Sequence, residues 1–169
     1  MRKYIYVILL LTVVFAYSCK ISYQFNGASI DYNVIKTIWI TDFQNQALNV
    51  YPPLAQVFNE KLKDVYTRNT KLQFTNTNPD VELEGEIIKY DLTPLAIGQD
   101  AMARQTRLTM DVKIRYRNNK NPAEDKEMTI SAYRDYNSSE MLNTVQDELI
   151  KQLTEDIVDQ IFNATMANW

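Results

Sequence analysis

The clearest alternation of hydrophobic and polar residues in the chain lies between Arg104 and Asn118. Charged and polar residues there alternate with apolar ones, so each class falls on its own face of an extended segment. The apolar positions are Leu108, Met110, Val112, Ile114 and Tyr116. This pattern predicts a strand with one face buried and the other in solvent.

A second alternating run precedes it and has the complementary charges. Glutamates stand between its apolar positions Val81, Leu83, Gly85 and Ile87. An antiparallel hairpin with its tip at Gly98-Gln99-Asp100 gives a register that satisfies both faces, since a slip of one residue would expose every apolar side chain. The expected opposed pairs are Glu82 with Arg117, Glu84 with Arg115, Glu86 with Lys113, Leu83 with Tyr116 and Ile87 with Val112.

A third strand is expected after a polar turn at 118–126. Its apolar residues Met128, Ile130, Ala132 and Tyr136 alternate, and we expect them to match the series Tyr116, Ile114, Val112 and Leu108 of the strand before. Residues 81–136 are therefore predicted to form a three-stranded meander with one apolar face. Such a face needs a covering layer of helices.

The remaining elements are predicted from β-branched content and from helical spacing. Residues 34–43 are typical of a strand, and 42–49 of a loop. A helix opens after Pro52-Pro53 and ends near Arg68-Asn69, with its apolar stripe at Leu54, Val57, Phe58, Leu62 and Val65. A second helix is predicted to begin at a capping pair, Thr144 and Asp147, and to run to about Met166. Its apolar face is formed by Val145, Leu149, Leu153, Ile157 and Ile161.

The order β-α-β-β-β-α predicts an α/β two-layer sandwich. We expect a mixed four-stranded sheet with both helices packed on one face. The strand–helix–strand crossover makes the first strand parallel to its partner. The length suits a single domain that buries its core without disulfides.

The N-terminal residues are typical of an export signal. Arg2 and Lys3 precede an apolar run at 5–15, which is shorter than the about 20 residues needed to cross a bilayer. Cys19, the only cysteine, follows Ala16-Tyr17-Ser18 and resembles the lipidated residue of a bacterial lipoprotein; the alternative is a free or buried cysteine behind an ordinary signal peptide. We expect a signal peptide at 1–18, a lipidated tether at 19–33 and one domain at 34–169.

Charge and composition exclude several classes of function. Without Arg2 and Lys3 the chain has 16 basic residues of its 18, against 21 acidic ones, a net charge near −5. That balance disfavours broad nucleic-acid binding. The chain has no histidine, the commonest general base and metal ligand, and only three glycines, too few for a phosphate-binding loop. No cofactor and no catalytic residue is predicted.

Three weaker chemical patterns have structural explanations. Asp135 to Ser139 begins like a calcium loop but has Glu140 where the turn needs glycine, so no metal site is predicted. Glu82, Glu84 and Glu86 suggest an acid pair for glycoside hydrolysis, but basic residues are expected opposite them. The alternation of arginine and tyrosine resembles that of proteins that bind single-stranded nucleic acids. Neighbouring residues in a strand point to opposite faces, however, so the cations and rings cannot share one platform.

The segment 92–107 is the candidate contact site. It combines apolar and cationic residues near a strand end, which suits an anionic amphiphile or a protein partner. The alternative is a turn whose apolar residues fold back on the helix ends. The candidate residues are Leu95, Ile97, Met102, Arg104 and Arg107.

Framework motifs along the chain resemble one known family, the lipopolysaccharide-assembly outer-membrane lipoproteins called LptE. The resemblance covers nearly all of the chain after Cys19. It rests on Tyr23-Gln24-Phe25-Asn26-Gly27-Ala28-Ser29-Ile30, Pro53-Leu54-Ala55-Gln56-Val57-Phe58, Glu84-Gly85-Glu86-Ile87 with Tyr90, Thr93-Pro94-Leu95-Ala96-Ile97, Arg107-Leu108-Thr109-Met110, Tyr133-Arg134-Asp135-Tyr136 and Ile161-Phe162-Asn163 to Ala167-Asn168-Trp169.

The resemblance implies a non-catalytic protein rather than an enzyme. Such lipoproteins are lipid-anchored on the periplasmic leaflet of the outer membrane, and they plug and help to assemble the LptD β-barrel translocon, which passes lipopolysaccharide to the surface. The implied partners are that barrel, lipopolysaccharide and the membrane, with no nucleic acid. Two alternatives stay open: a different outer-membrane assembly or lipid-binding lipoprotein, and a periplasmic carboxylate-dependent hydrolase, which predicts a concave pocket with perturbed titratable groups.

Overall fold

The computed structural model describes residues 30–95 and 105–166, which form a mixed sheet and two helices. The order of strands across the sheet is β3-β1-β4-β5-β6, and β2 pairs with β4 beyond the end of β1. The elements are β1 (Thr37–Ile40), β2 (Gln44–Asn45), α1 (Leu54–Asn69), β3 (Gln73–Phe74), β4 (Val81–Pro94), β5 (Gln105–Asn118), a 3₁₀ turn (Pro122–Glu124), β6 (Lys126–Asn137) and α2 (Leu142–Met166).

The sheet has six strands, so the predicted count of four is wrong. The two additional strands, β2 and β3, have two residues each. Such short strands carry no detectable alternation, so the hydrophobic pattern gave no signal for them. The predicted mixed character is confirmed: β1 runs parallel to β3 and β4, while β4, β5 and β6 are antiparallel.

The predicted register between β4 and β5 is confirmed at all five opposed pairs, from Glu82 with Arg117 to Ile87 with Val112. The ladder then shifts between Ile87 and Lys89, where Ile88 is an extra residue on β4. Because of this bulge, Tyr90 takes an inward position and is buried. The predicted tip at 98–100 lies outside the described residues, and the strands are paired as far as Pro94 and Thr106.

The register between β5 and β6 differs from the predicted match. Met128 lies opposite Ile114 and Ile130 opposite Val112, two residues away from a match that starts at Met128 and Tyr116. A shift of two keeps every side chain on its own face, so the hydrophobic pattern cannot distinguish the two registers. The turn decides instead, because Asn118 N–H donates to the Asp125 carboxylate at 2.8 Å.

The first strand is shorter than predicted, because Thr37–Ile40 is its whole extent and Val34 lies in a turn, half exposed. Asp80 holds the start of β1 against the start of β4. Its carboxylate accepts the backbone N–H groups of Lys36 and Thr37 at 2.8 and 3.0 Å, and Lys120 lies 3.0 Å away. These bonds, with the Lys36 N–H as the largest cause, lower the pKa of Asp80 to about 2.

The two helices run side by side in the same direction. Three contacts join them in order: the Tyr51 hydroxyl, just before α1, donates to Asp147, Lys61 bridges Glu155 at 2.8 Å, and Tyr66 bonds Thr165 at 2.5 Å. Both N-termini therefore lie at the same end of the sheet. The predicted bounds of α1 are confirmed.

Helix α2 begins at Leu142, before the predicted cap. Thr144 is already inside the first turn, and its hydroxyl donates to the Met141 carbonyl at 2.6 Å instead of capping the helix. The sequence signal failed because a threonine in a first turn and a capping threonine carry the same side chain.

The core lies between the apolar face of the sheet and the helices. It contains all five apolar positions predicted for β5 and the inward side chains of both helices. Phe43 packs on Phe58 of α1, with ring centroids 5.4 Å apart, and its ring lies directly over Gly85. A Cβ at Gly85 would be only 2.2 Å from the Phe43 ring, so this position requires glycine for space rather than for backbone freedom.

Candidate contact surface at the hairpin end

Exposed apolar side chains are concentrated at one end of the molecule, which we call the hairpin end: residues 46–51, 88–95, 105–107 and 133–141. Among the described residues, six of the eight exposed large hydrophobic side chains lie here. They are Leu48, Val50, Ile88, Leu92, Tyr133 and Met141. Exposed apolar side chains gathered at one end of a domain are typical of a contact surface.

The loop before α1 is fixed beside β4 by backbone and side-chain bonds. Gln46 N–H donates to the Ile87 carbonyl at 2.8 Å. The Asn49 amide donates to the Tyr90 carbonyl at 3.0 Å and to the Asp91 carboxylate at 2.8 Å. On either side of this anchor, Leu48 is 97% exposed and Val50 is 77% exposed. The loop therefore presents two apolar side chains from a fixed backbone.

The bulge at Ile88 determines which side chains of β4 point outwards at the hairpin end. Ile88 is exposed, while Tyr90 turns inward and its hydroxyl accepts a hydrogen bond from Gln146 of α2 at 2.7 Å. Burial raises the pKa of Tyr90, so the hydroxyl keeps its proton. This bond ties the distal part of β4 to the first turns of α2.

Arg107 is paired within the protein. Its Nε and Nη2 donate to the two carboxylate oxygens of Asp135 at 2.7 and 2.9 Å. Its guanidinium lies 3.7 Å from the centroid of the Tyr133 ring. The hydrogen bond lowers the pKa of Asp135 and raises that of Arg107. An anionic ligand would therefore use the remaining N–H groups of Arg107 or displace Asp135.

The predicted contact residues are only partly within the described chain. Leu95 is half-buried, and its N–H donates to the Gln105 carbonyl at 2.9 Å. Leu92 pairs with the buried Leu108, so it lies on the opposite face of the sheet from Arg107. Ile97, Met102 and Arg104 lie outside the described residues and stay predictions.

Sequence reasoning missed Leu48, Val50 and Met141. Each is an apolar residue in a polar connection, and an apolar residue without a periodic partner was the available signal. Their meeting with β4 depends on the side-chain bonds of Asn49, which no periodicity indicates.

The face of the sheet away from the helices is a neutralised ladder of charges. Arg117 lies 3.1 Å from Glu84 and 3.8 Å from Glu82. Glu127 pairs with Lys113 at 2.8 Å, which lowers the pKa of Glu127. The contacts of Arg117 with Glu84 and of Lys113 with Glu127 run diagonally, whereas Arg117 lies straight across from Glu82, so two of the three glutamates that resembled an acid pair have a basic partner.

A cleft of about 250 Å³ lies at the opposite end of the molecule, lined in part by Ile30, Tyr116 and Glu124. Burial raises the pKa of Tyr116 to about 12. The polar groups are engaged in structural bonds: Lys126 donates to the Ala164 carbonyl at 2.7 Å, and Asn118 to Glu124 at 2.8 Å. These polar groups of the cleft therefore hold the surrounding elements together.

Two further absences apply to residues 30–95 and 105–166. No group of three acidic or cysteine side chains in this range is arranged to hold a metal ion. Within the same range, neither helix is both long and apolar enough to cross a membrane. Where a calcium loop was considered, Asp135 pairs with Arg107, and Asn137 accepts the Ser139 N–H at 3.0 Å.

A family model described as LptE, lipopolysaccharide-assembly, matches residues 35–165. This range covers every described helix and strand except the last residue of α2. The comparison with curated protein sequences gives no match.

Several solved structures share the fold at low sequence identity. A minor lipoprotein from Acinetobacter baumannii is 17% identical with a TM-score of 0.50, covering 76% of this chain and 90% of that one. A hypothetical protein from Chlamydia trachomatis is 10% identical with a TM-score of 0.55, covering 79% and 99%. An uncharacterised lipoprotein B from Nitrosomonas europaea is 16% identical with a TM-score of 0.51, covering 76% and 81%.

Proposed function

Because this chain belongs to the LptE family of lipopolysaccharide-assembly lipoproteins, we propose that it plugs an LptD-like β-barrel of the outer membrane and helps to assemble it. The barrel then inserts lipopolysaccharide in the outer leaflet. The family is non-catalytic, and the paired charges of the described residues suit a protein that acts through its surfaces. The family match is the observation that carries this proposal.

The proposed anchor is Cys19, with cleavage after residue 18, a tether at 19–33 and a single domain at 34–169. Lys20 follows the cysteine, which favours the periplasmic leaflet of the outer membrane. Two or more acyl chains hold a protein stably on a membrane. Cys19→Ala should therefore move the protein from the membrane fraction to the soluble fraction, and unchanged membrane association would contradict lipid anchoring.

The hairpin end is the proposed contact with the barrel. Its exposed side chains, such as Leu48 and Val50, are carried on a fixed backbone, so binding them costs little conformational entropy. Exposed apolar side chains surrounded by polar groups also suit the apolar core of a protein interface. The charged residues on the other face of the sheet pair with one another, so that face needs no charged partner.

Affinity capture of the detergent-solubilised full chain tests the proposal. We expect one large outer-membrane β-barrel to be recovered in stable complex. Depletion of the protein should also reduce surface lipopolysaccharide. Recovery of no barrel, or normal surface lipopolysaccharide after depletion, would refute the proposed role.

Arg107 is the proposed lipopolysaccharide contact within the described residues, with Arg104 beside it in sequence. Arg107→Ala should weaken lipopolysaccharide binding about tenfold, the usual worth of one hydrogen bond to a charged group. Its exposed pair with Asp135 contributes little stability, so the melting temperature should change little. Arg115→Ala is the matched control, since Arg115 lies on the same face of β5 but pairs with Glu127 towards the other end of the strand. Equal binding by both variants would remove Arg107 from the site.

A further inference from the structure

Strand β1 extends two residues beyond its last pair with its short neighbour β3. β3 covers β1 as far as Ile38, whose carbonyl accepts the Thr75 N–H at 3.0 Å. Backbone groups of alternate residues in a strand point the same way, so those of Ile40 also face this side. The N–H of Thr41, the next residue, faces the other side and donates to the Leu83 carbonyl of β4 at 3.1 Å. Among the described residues, no backbone group pairs with Ile40 on the β3 side.

A groove of about 540 Å³ adjoins this edge. It is lined by Ile38 and Ile40 of β1, by Phe74 and Asn76, and by Lys63 and Thr67 of α1. Phe74 is half exposed although it lies on the core side of the sheet opposite Ile38. A residue paired opposite Ile40 would share its face and would place its side chain in this groove.

The surroundings of the groove define what fits it. Lys63 Nζ lies 2.6 Å from the Asp42 carboxylate, so the cation in the wall is already neutralised. β3 ends at Phe74 because the chain bends at 76–78, where Thr77 N–H donates to Thr75 Oγ1 at 3.1 Å. The occupant must therefore be an extended backbone with an apolar side chain at its centre.

We propose that this edge binds a short extended segment of a partner polypeptide, which continues the line of β3 and pairs with Ile40. Its central apolar side chain fills the groove beside Phe74, and its backbone satisfies the open groups of β1, as in β-strand addition. This surface is separate from the hairpin end. The inference goes beyond the proposed function and stands whether or not the partner is a barrel.

A pair of capped pentapeptides tests the proposal, acetyl-Thr-Thr-X-Thr-Thr-amide with leucine or aspartate at X. The full chain in detergent is titrated and its amide hydrogen exchange is followed by NMR. The leucine peptide should slow exchange at the Ile40 N–H about tenfold and bind about tenfold tighter than the aspartate peptide. The Thr41 N–H is the internal control, because it is already bonded to Leu83 and should not change.

Two variants distinguish binding in the groove from non-specific binding of the peptide elsewhere on the surface. Phe74→Asp should weaken leucine-peptide binding about tenfold, while Val34→Asp, at a residue of similar exposure, should leave it unchanged. Equal binding of the two peptides, or an unprotected Ile40 N–H in the bound state, overturns the proposal. Concentration-dependent protection of Ile40 without peptide also overturns it, because the edge would then belong to a second copy of this chain.

Discussion

At the scale of single residues, Gly85 and Asp80 have structural roles that their sequence context does not indicate. Gly85 occurs where an apolar residue would continue the alternation of β4, and it is small because Phe43 occupies the space above it. Asp80 lies in a connection, yet its carboxylate joins the starts of two strands. Both depend on contacts across the fold, so the alternation of the sequence gave no signal for either role.

Gly85→Ala should lower the free energy of unfolding by about 1–3 kcal/mol, the range typical of overpacking a core. The added Cβ would lie 2.2 Å from Phe43 and 2.6 Å from the Lys113 carbonyl oxygen, and the backbone oxygen cannot move aside easily. Urea unfolding followed by circular dichroism measures the change. Leu48→Ala, at a residue exposed by 97%, is the control and should stay within about 0.5 kcal/mol; equal stabilities would contradict the steric argument.

Asp80 predicts a specific loss of stability in acid. Its folded pKa of about 2 lies below the ordinary value of 3.8, so its contribution is complete above pH 4 and is lost as the pH falls towards 2. A shift of this size corresponds to about 2 kcal/mol. Asp80→Asn should therefore lose about 2 kcal/mol less than the original chain between pH 5 and pH 2. Urea unfolding across this range is the measurement, and parallel curves would rule out the linkage.

At the scale of elements, the sequence predicts the antiparallel strands of the sheet better than it predicts the parallel ones. Opposed charges and apolar pairs specify the β4–β5 register, because a one-residue slip would expose the core face. The β5–β6 register differs by two residues, a change that the alternation cannot detect. β2 and β3 are too short for any period, and only their parallel pairing with neighbours identifies them.

The bulge at Ile88 predicts unequal effects of two single-residue deletions. Removing Ile88 would join two regular ladders and keep every other side chain on its face, so the chain should still fold with the hairpin end re-aimed. Removing Glu84 from the regular part would turn Glu86 towards the core, which is costly for an unpaired charge.

Thermal unfolding of the two deletion variants compares these effects. The Glu84 deletion should have a melting temperature lower by about 10 °C or more than the Ile88 deletion, since a buried unpaired charge costs several kcal/mol. Equal melting temperatures would show that Ile88 is not the extra residue of the ladder.

At the scale of the whole molecule, the candidate contact surface is built by three separate parts of the chain. The loop before α1, the distal ends of β4 and β5, and the segment from the end of β6 to the start of α2 meet because both helices begin at the same end. The sequence indicated Leu95 and Arg107 within this surface, because they lie near a predicted tip. It did not indicate Leu48 or Val50, whose position depends on long-range bonds of Asn49.

Leu48→Asp combined with Val50→Asp should reduce recovery of the barrel partner about tenfold or more, because two charges would enter an apolar contact. Both residues are exposed in the free protein, so the melting temperature should stay nearly the same. Val34→Asp, a half-exposed residue at the opposite end, is the control. Undiminished recovery with the double variant would exclude the hairpin end as the contact.

The mixed sheet has a consequence for the order in which the chain assembles. The antiparallel strands and α2 are contiguous between residues 81 and 166, whereas β1 must close a long loop before Ile38 can meet Val81. Local pairings form faster than distant ones, so we expect the C-terminal half to collapse first. Until the first strands arrive, the fourteen residues of β4 would remain without a neighbour on one side, which makes this intermediate the stage most exposed to misassociation.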